Sequence, residues 1–197
     1  MSERCPPLPP SELTDAQRPL YDTLAKMAAS FGDKFTHTLP NGALIGPFNP
    51  HLRTPEISTP FWQTAFKVFS APGLTPKMQE VIMMLIGAHL DCKFMLYCHS
   101  RFAKAAGFDK ECRDALARGE AGSGEAWDKE SQVAFEVANA LIKEKGGLRK
   151  DIWDRGIETV GSEVLYSAIH LVGLYHHQAF VLNGFDIGYP EDEELLV

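Results

Sequence analysis

The 197-residue sequence predicts an all-α fold in a single domain of seven or eight helices. Three observations carry that reading. Apolar residues recur three and four positions apart, the period of a helix buried on one face. The apolar runs open on capping residues and close on glycines. No segment shows the sustained alternation of a half-buried strand. Length favours one domain, and a chain of this size buries roughly 70% of the surface its unfolded form exposes, so it needs no covalent staples.

The elements follow in order. "SELTDAQRPLYDTLAKMAASFG" opens on Ser11 or Thr14 as cap, repeats Leu20, Leu24 and Met27 at helical spacing, and stops at Gly32. "THTLPNGALIGPFNPHLRTPE" carries four prolines and two glycines and reads as an ordered loop over the body. "EISTPFWQTAFKVFSA" is a helix rich in aromatics (Phe61, Trp62, Phe66, Phe69). Thr75 then caps a helix with Pro76 at its first position and Val81, Ile82, Leu85 and Ile86 along it. "DCKFMLYCHSRFAKAAG" gives the next helix, ending at Gly107. "DKECRDALARG" is short and stops at Gly119, "GEAGSGEA" is a flexible connection, and Asp128 caps an amphipathic helix through "DKESQVAFEVANALIKEKGG". A further short helix, "RKDIWDRGIETVG", precedes "SEVLYSAIHLVGLYHHQAFVLNGF". That last helix is apolar on most sides, as a central or interface helix would be. Residues 1–45 are expected as an N-terminal arm and 190–197 as an acidic, solvated tail.

A net charge of −7 and a pI near 5.5 argue against nucleic acid or an anionic membrane as partner. No stretch of about 18 apolar residues is present to span a membrane, and the start lacks a signal-peptide core. Cys5, Cys92, Cys98 and Cys112 are not spaced as a disulfide framework, so a reducing, cytoplasmic location is expected. Cys92 and Cys98 lie about 9 Å apart along an ideal helix, beyond the Cα separation of about 7 Å that a disulfide allows.

Positions four and seven apart share a helix face, which stacks Cys92, Met95 and His99 on one stripe with Cys98 about 100° from His99. Glu80, Cys92 and His99, followed by Ala103 and Gly107, resemble the signature of the alkylhydroperoxidase D / carboxymuconolactone decarboxylase superfamily. "GPFNPHLRTPE" and "LVGLYHHQAFVLNGFDIGYPE", the latter with Tyr175, Asn183, Phe185 and Pro190, resemble the decarboxylase-like branch. The resemblance covers residues 44 to 191 and implies an alkylhydroperoxidase D-like helical bundle that assembles as a trimer, hexamer or dimer. It also implies that Glu80 and His99 face each other across adjacent helices.

Two departures shape the chemistry. The redox branch needs two thiols three apart, one attacking and one resolving; Met95 stands at the second position and cannot form the disulfide. The decarboxylase-like branch often has glutamate there, and Met95 is no acid. The reading is therefore a cofactor-independent lyase or isomerase acting on a small cyclic carboxylate or lactone. Glu80 and His99 move the proton, with His177 as the second acid–base group. Arg53, Trp62, His89, Cys92, Met95, Tyr175 and His176 are expected around the substrate. No metal is expected: His89, His99, His177 and Glu80 carry suitable donors but no tight metal-binding spacing. A thiol peroxidase or reductase using Cys92, and a ligand-binding or assembly protein without chemistry, are the alternatives.

Overall fold

The computed structural model describes residues 2–191 and 193–195. Among them are one 3₁₀ turn, Pro10–Glu12, and nine α-helices: α1 (Arg18–Ser30), α2 (Phe48–Leu52), α3 (Pro55–Phe69), α4 (Pro76–His89), α5 (Lys93–Ala105), α6 (Lys110–Ala117), α7 (Lys129–Lys143), α8 (Lys150–Val160) and α9 (Ser162–Gly184). The only β pairing among the described residues is an isolated bridge between Thr38 and Leu44. The fold is all-α, with one helix more than expected: α2, five residues long, inside the proline-rich segment read as loop.

Capping explains most boundaries. Thr75 accepts from the Met78 amide, Asp109 from Cys112 and Asp128 from Ser131, each satisfying a donor the helix itself leaves open. At α1 the expectation differs. Neither Ser11 nor Thr14 caps it; Ser11 sits in the 3₁₀ turn and Gln17 precedes the helix without a side-chain cap.

The central helix is α4 rather than α9. Every residue from Glu80 to Gly87 is buried, and α4 packs on α5, α6, α7 and α9. Each fully buried leucine or isoleucine there contributes about 1.5–3 kcal/mol relative to exposure. Helix α9 instead shows Tyr166 and Phe180 to solvent. A short elbow, Leu90 to Cys92, turns α4 into α5, with Asp91 at φ 46° and Asn183 Nδ2 of α9 donating to Leu90 O at 2.7 Å.

Described residues near both termini are tied to the helices. Asn49 of α2 donates to Cys5 O at 2.8 Å and accepts from the Leu8 amide at 3.1 Å. In the tail, Arg101 of α5 pairs with Glu193 at 3.3 Å while its guanidinium lies 4.2 Å over the Tyr97 ring. Tyr189 stacks on that same ring at 5.2 Å. The expected solvated tail is thus held against α5 at Glu193, because a half-buried cation and an aromatic face are there to receive it; Asp192, Leu196 and Val197 lie outside the described residues.

Candidate active site

A cavity of about 70 Å³ lies between α3, α5 and α9, closed by Phe31 and Phe35 after α1 and by Phe48 of α2. Its wall is almost wholly apolar. Gly46, at φ 64°, allows the segment before α2 to lie on Phe94: a Cβ there would stand 2.1 Å from that ring. The volume is below the roughly 150 Å³ of a dry cavity that accepts benzene. A single ring therefore enters only as the flexible wall methionines, Met27 and Met95, give way.

Polar groups interrupt this wall at two places. On α5, residues 95, 98, 99 and 102 form a stripe at i, i+3, i+4 and i+7, bringing Met95, Cys98, His99 and Phe102 to the cavity together. His99 Nδ1 and Glu80 Oε2 are 2.8 Å apart across α4 and α5, and both residues are 9% exposed. Burial alone would push the imidazole down. The Cys98 sulfur beside it and the Glu80 carboxylate outweigh that effect, and His99 rises to about 10. At neutral pH the ring is an imidazolium with Nδ1–H on the carboxylate. Tyr175 meets the ring edge-on at 5.2 Å. Its phenol is raised well above 10 by burial and by Glu80 and Cys98, so it stays protonated. Glu80 also borders an outer groove with Thr75, Lys77 and Asp128, which places the pair between the cavity and the surface.

The second polar place is Gln178 of α9, which His51 backs from outside the cavity. His51 of α2 is 4% exposed, with Nδ1 2.9 Å from Ser58 Oγ and Nε2 3.1 Å from Gln178 Oε1. It stacks on Phe61 at 4.9 Å and meets Trp62 edge-on at 5.5 Å. Burial, only partly offset by Gln178 and reinforced by His177, lowers its pKa to about 4, so His51 is neutral.

Of the residues expected at the site, Glu80, Trp62, Met95, His99 and Tyr175 converge there. The others do not. Cys92 is fully buried but precedes α5 as its N-cap, off the helical stripe, and burial, with Cys98 and Asp91 adding, pushes its thiol up to about 12. His177 is exposed and stacks on the outer side of Phe61 at 4.5 Å. The inward stripe of α9 is Leu174, Tyr175, Gln178 and Leu182, and His177 stands about 100° from Gln178 on the helix. His176 bonds back to Val172 O at 3.1 Å. His89 is exposed at the end of α4, and Arg53 donates to Pro6 O on the N-terminal arm. Of the donors weighed as a metal set only Glu80 and His99 meet, and no group of three histidine, cysteine or acidic side chains among the described residues is placed to hold an ion. All four cysteines are free.

Cys98, His51 and Gln178 are the site residues that sequence reasoning missed. The stripe at 95, 98, 99 and 102 would have found Cys98; no periodic signal marks His51.

No protein family and no curated protein matches the chain. Among solved structures, the debrominase Bmp8, as a cysteine-to-alanine variant in complex with 2,3,4-tribromopyrrole, superposes with a TM-score of 0.69 at 11% identity. The match covers 97% of this chain and 93% of that one. The two share an all-helical fold. Among the described residues no helix is long and apolar enough to cross a membrane.

Proposed function

We propose that the protein is an enzyme that delivers a proton to carbon in a small, largely apolar ring substrate, as a decarboxylase-like lyase. The observation that carries this is the 2.8 Å His99–Glu80 pair in the wall of an apolar cavity. A buried ion pair adds little to stability once desolvation is counted, whereas a strongly shifted imidazole in a cavity marks an acid–base site. Because His99 is charged at neutral pH, it starts as a donor. Loss of CO₂ from a β-keto acid leaves an enolate whose carbon must receive one proton; isomerisation must first remove one. The donor state therefore favours decarboxylation. With Arg53 outside, the imidazolium is the cation facing the cavity, which suits a monocarboxylate. Glu80 keeps the Nδ1 proton and stabilises the imidazolium, while Nε2 delivers its proton to the substrate and regains one from water as the product leaves. Exposed Ile57 and Phe180 support assembly into a homo-oligomer, which light scattering tests.

The test uses 2-oxocyclopentane-1-carboxylate as probe. The protein accelerates CO₂ release, and in D₂O one deuterium arrives at the ring carbon. His99→Gln lowers the acceleration by about 10²–10⁴-fold, the range of general acid–base catalysis. Unchanged acceleration in a folded His99→Gln protein sinks the reading.

A second reading rests on Cys98 at the cavity wall beside the imidazolium, the surroundings of a thiol nucleophile. A protein of the same fold holds a brominated ring in a variant that lacks one cysteine. If 2,3,4-tribromopyrrole with dithiothreitol is consumed, and Cys98→Ser abolishes that while the keto acid is untouched, this reading replaces the first.

A further inference from the structure

On α3 and α9 the cavity wall holds two nitrogen donors without a partner among the described residues. Trp62 is 5% exposed and Gln178 is 7% exposed. Trp62 Nε1–H and Gln178 Nε2–H have no hydrogen-bond partner among the described residues, and both side chains line the cavity. A buried N–H left unpaired costs about 1–3 kcal/mol, so two on one wall of an otherwise apolar chamber call for an explanation.

The Gln178 amide turns its oxygen to His51, away from the cavity. His51 Nε2 faces Gln178 Oε1 at 3.1 Å. An amide oxygen only accepts, so Nε2 carries the proton of the neutral ring, and Nδ1 accepts from Ser58 Oγ–H at 2.9 Å. The chain Ser58, His51, Gln178 therefore runs in one sense: the amide oxygen is consumed outside the cavity and the amide NH₂ is left to it. The indole N–H can only donate. Trp62 and Gln178 thus offer donors.

We propose that Trp62 and Gln178 form a subsite for an oxygen acceptor of the ligand, a ring carbonyl, and that Ser58 and His51 are positioning residues that hold the amide in its donating sense. The proposal rests on the cavity being the substrate site, as in the function proposed above. It adds the substrate class: a ring ketone or keto acid whose oxygen points at α3 and α9 while the carbon to be protonated faces α5. As CO₂ leaves, charge moves onto that oxygen, where fixed donors in a dry cavity stabilise it most.

The experiment compares two probes of nearly the same shape, cyclopentanone and methylenecyclopentane, of which only the ketone has an acceptor. Each is titrated into ¹⁵N-labelled full-length protein, with the indole resonance of Trp62 assigned by its loss in Trp62→Phe. The ketone moves that resonance downfield and the alkene does not. Gln178→Leu weakens ketone binding about tenfold, the loss expected for one buried hydrogen bond, and leaves alkene binding within about twofold. Trp62→Phe, which keeps an aromatic ring and removes the N–H, gives the same split should Gln178→Leu fail to fold. His51→Phe frees the amide to turn and also weakens only the ketone. Equal binding and equal losses for both probes overturn the subsite while leaving the cavity a ligand site. If neither probe perturbs Trp62 or His99, the cavity takes no small ring, and this inference falls together with the function it rests on.

Discussion

His99 lines the cavity and His51 backs the Gln178 amide that lines it; both are buried, yet the first is raised to about 10 and the second lowered to about 4. Burial pushes both imidazoles the same way, toward the neutral form. The partners decide the outcome. His99 has a carboxylate on Nδ1 and a sulfur beside it; His51 has a hydroxyl and an amide, groups too weakly polar to offset lost hydration. One wall is thereby a proton store and the other a fixed array of dipoles.

Removing the carboxylate breaks the comparison most severely. Glu80→Gln drops His99 toward the ordinary histidine range and lowers decarboxylation by about 10²–10⁴-fold. A histidine NMR titration and a pH–rate profile check both; in the wild type the rate falls as pH rises through about 10 and His99 loses its proton.

Stability should carry the same opposition. The contribution of His99, whose folded pKa lies above the unfolded value, is complete below about 6.5 and lost as pH climbs toward 10. That of His51, whose folded pKa lies below, is complete above about 6.5 and lost as pH falls through 4. The His51 acid arm amounts to on the order of 3 kcal/mol, read from urea unfolding at pH 6.5 and 4; His51→Gln flattens it.

Ser58→Ala leaves His51 Nδ1 without its partner and costs about 1–2 kcal/mol at neutral pH by the same unfolding assay. The smallest effect is expected at a third histidine. His89→Ala, exposed at the end of α4, changes stability by less than about 0.5 kcal/mol and leaves the pH–rate profile in place.

The Glu80–His99 wall was legible in the sequence because both residues sit on long helices with clear ends, and their spacing resembles a known pattern. Thr75 and Asp128 announced their helices correctly, since a cap is a local interaction. The His51 wall was not legible. Helix α2 has five residues between prolines, too few for a period to emerge. His177 shows a second limit: spacing tells which residues share a face, not which face meets which neighbour. Cys92 shows a third. The stripe with Met95 and His99 assumed a helix running through Cys92, and α5 begins one residue later.

The elbow at Leu90 to Cys92 makes the acid–base pair a property of one hairpin, Pro76 to Ala105, contiguous in the chain. The unpaired donors come from α3 and α9, more than a hundred residues apart. Inserting a single residue in the elbow would turn α5 by about 100° and carry the imidazole away from its acid. The ion pair is thus portable, a segment to graft onto another scaffold, whereas the unpaired donors come together only after the whole chain has closed around it.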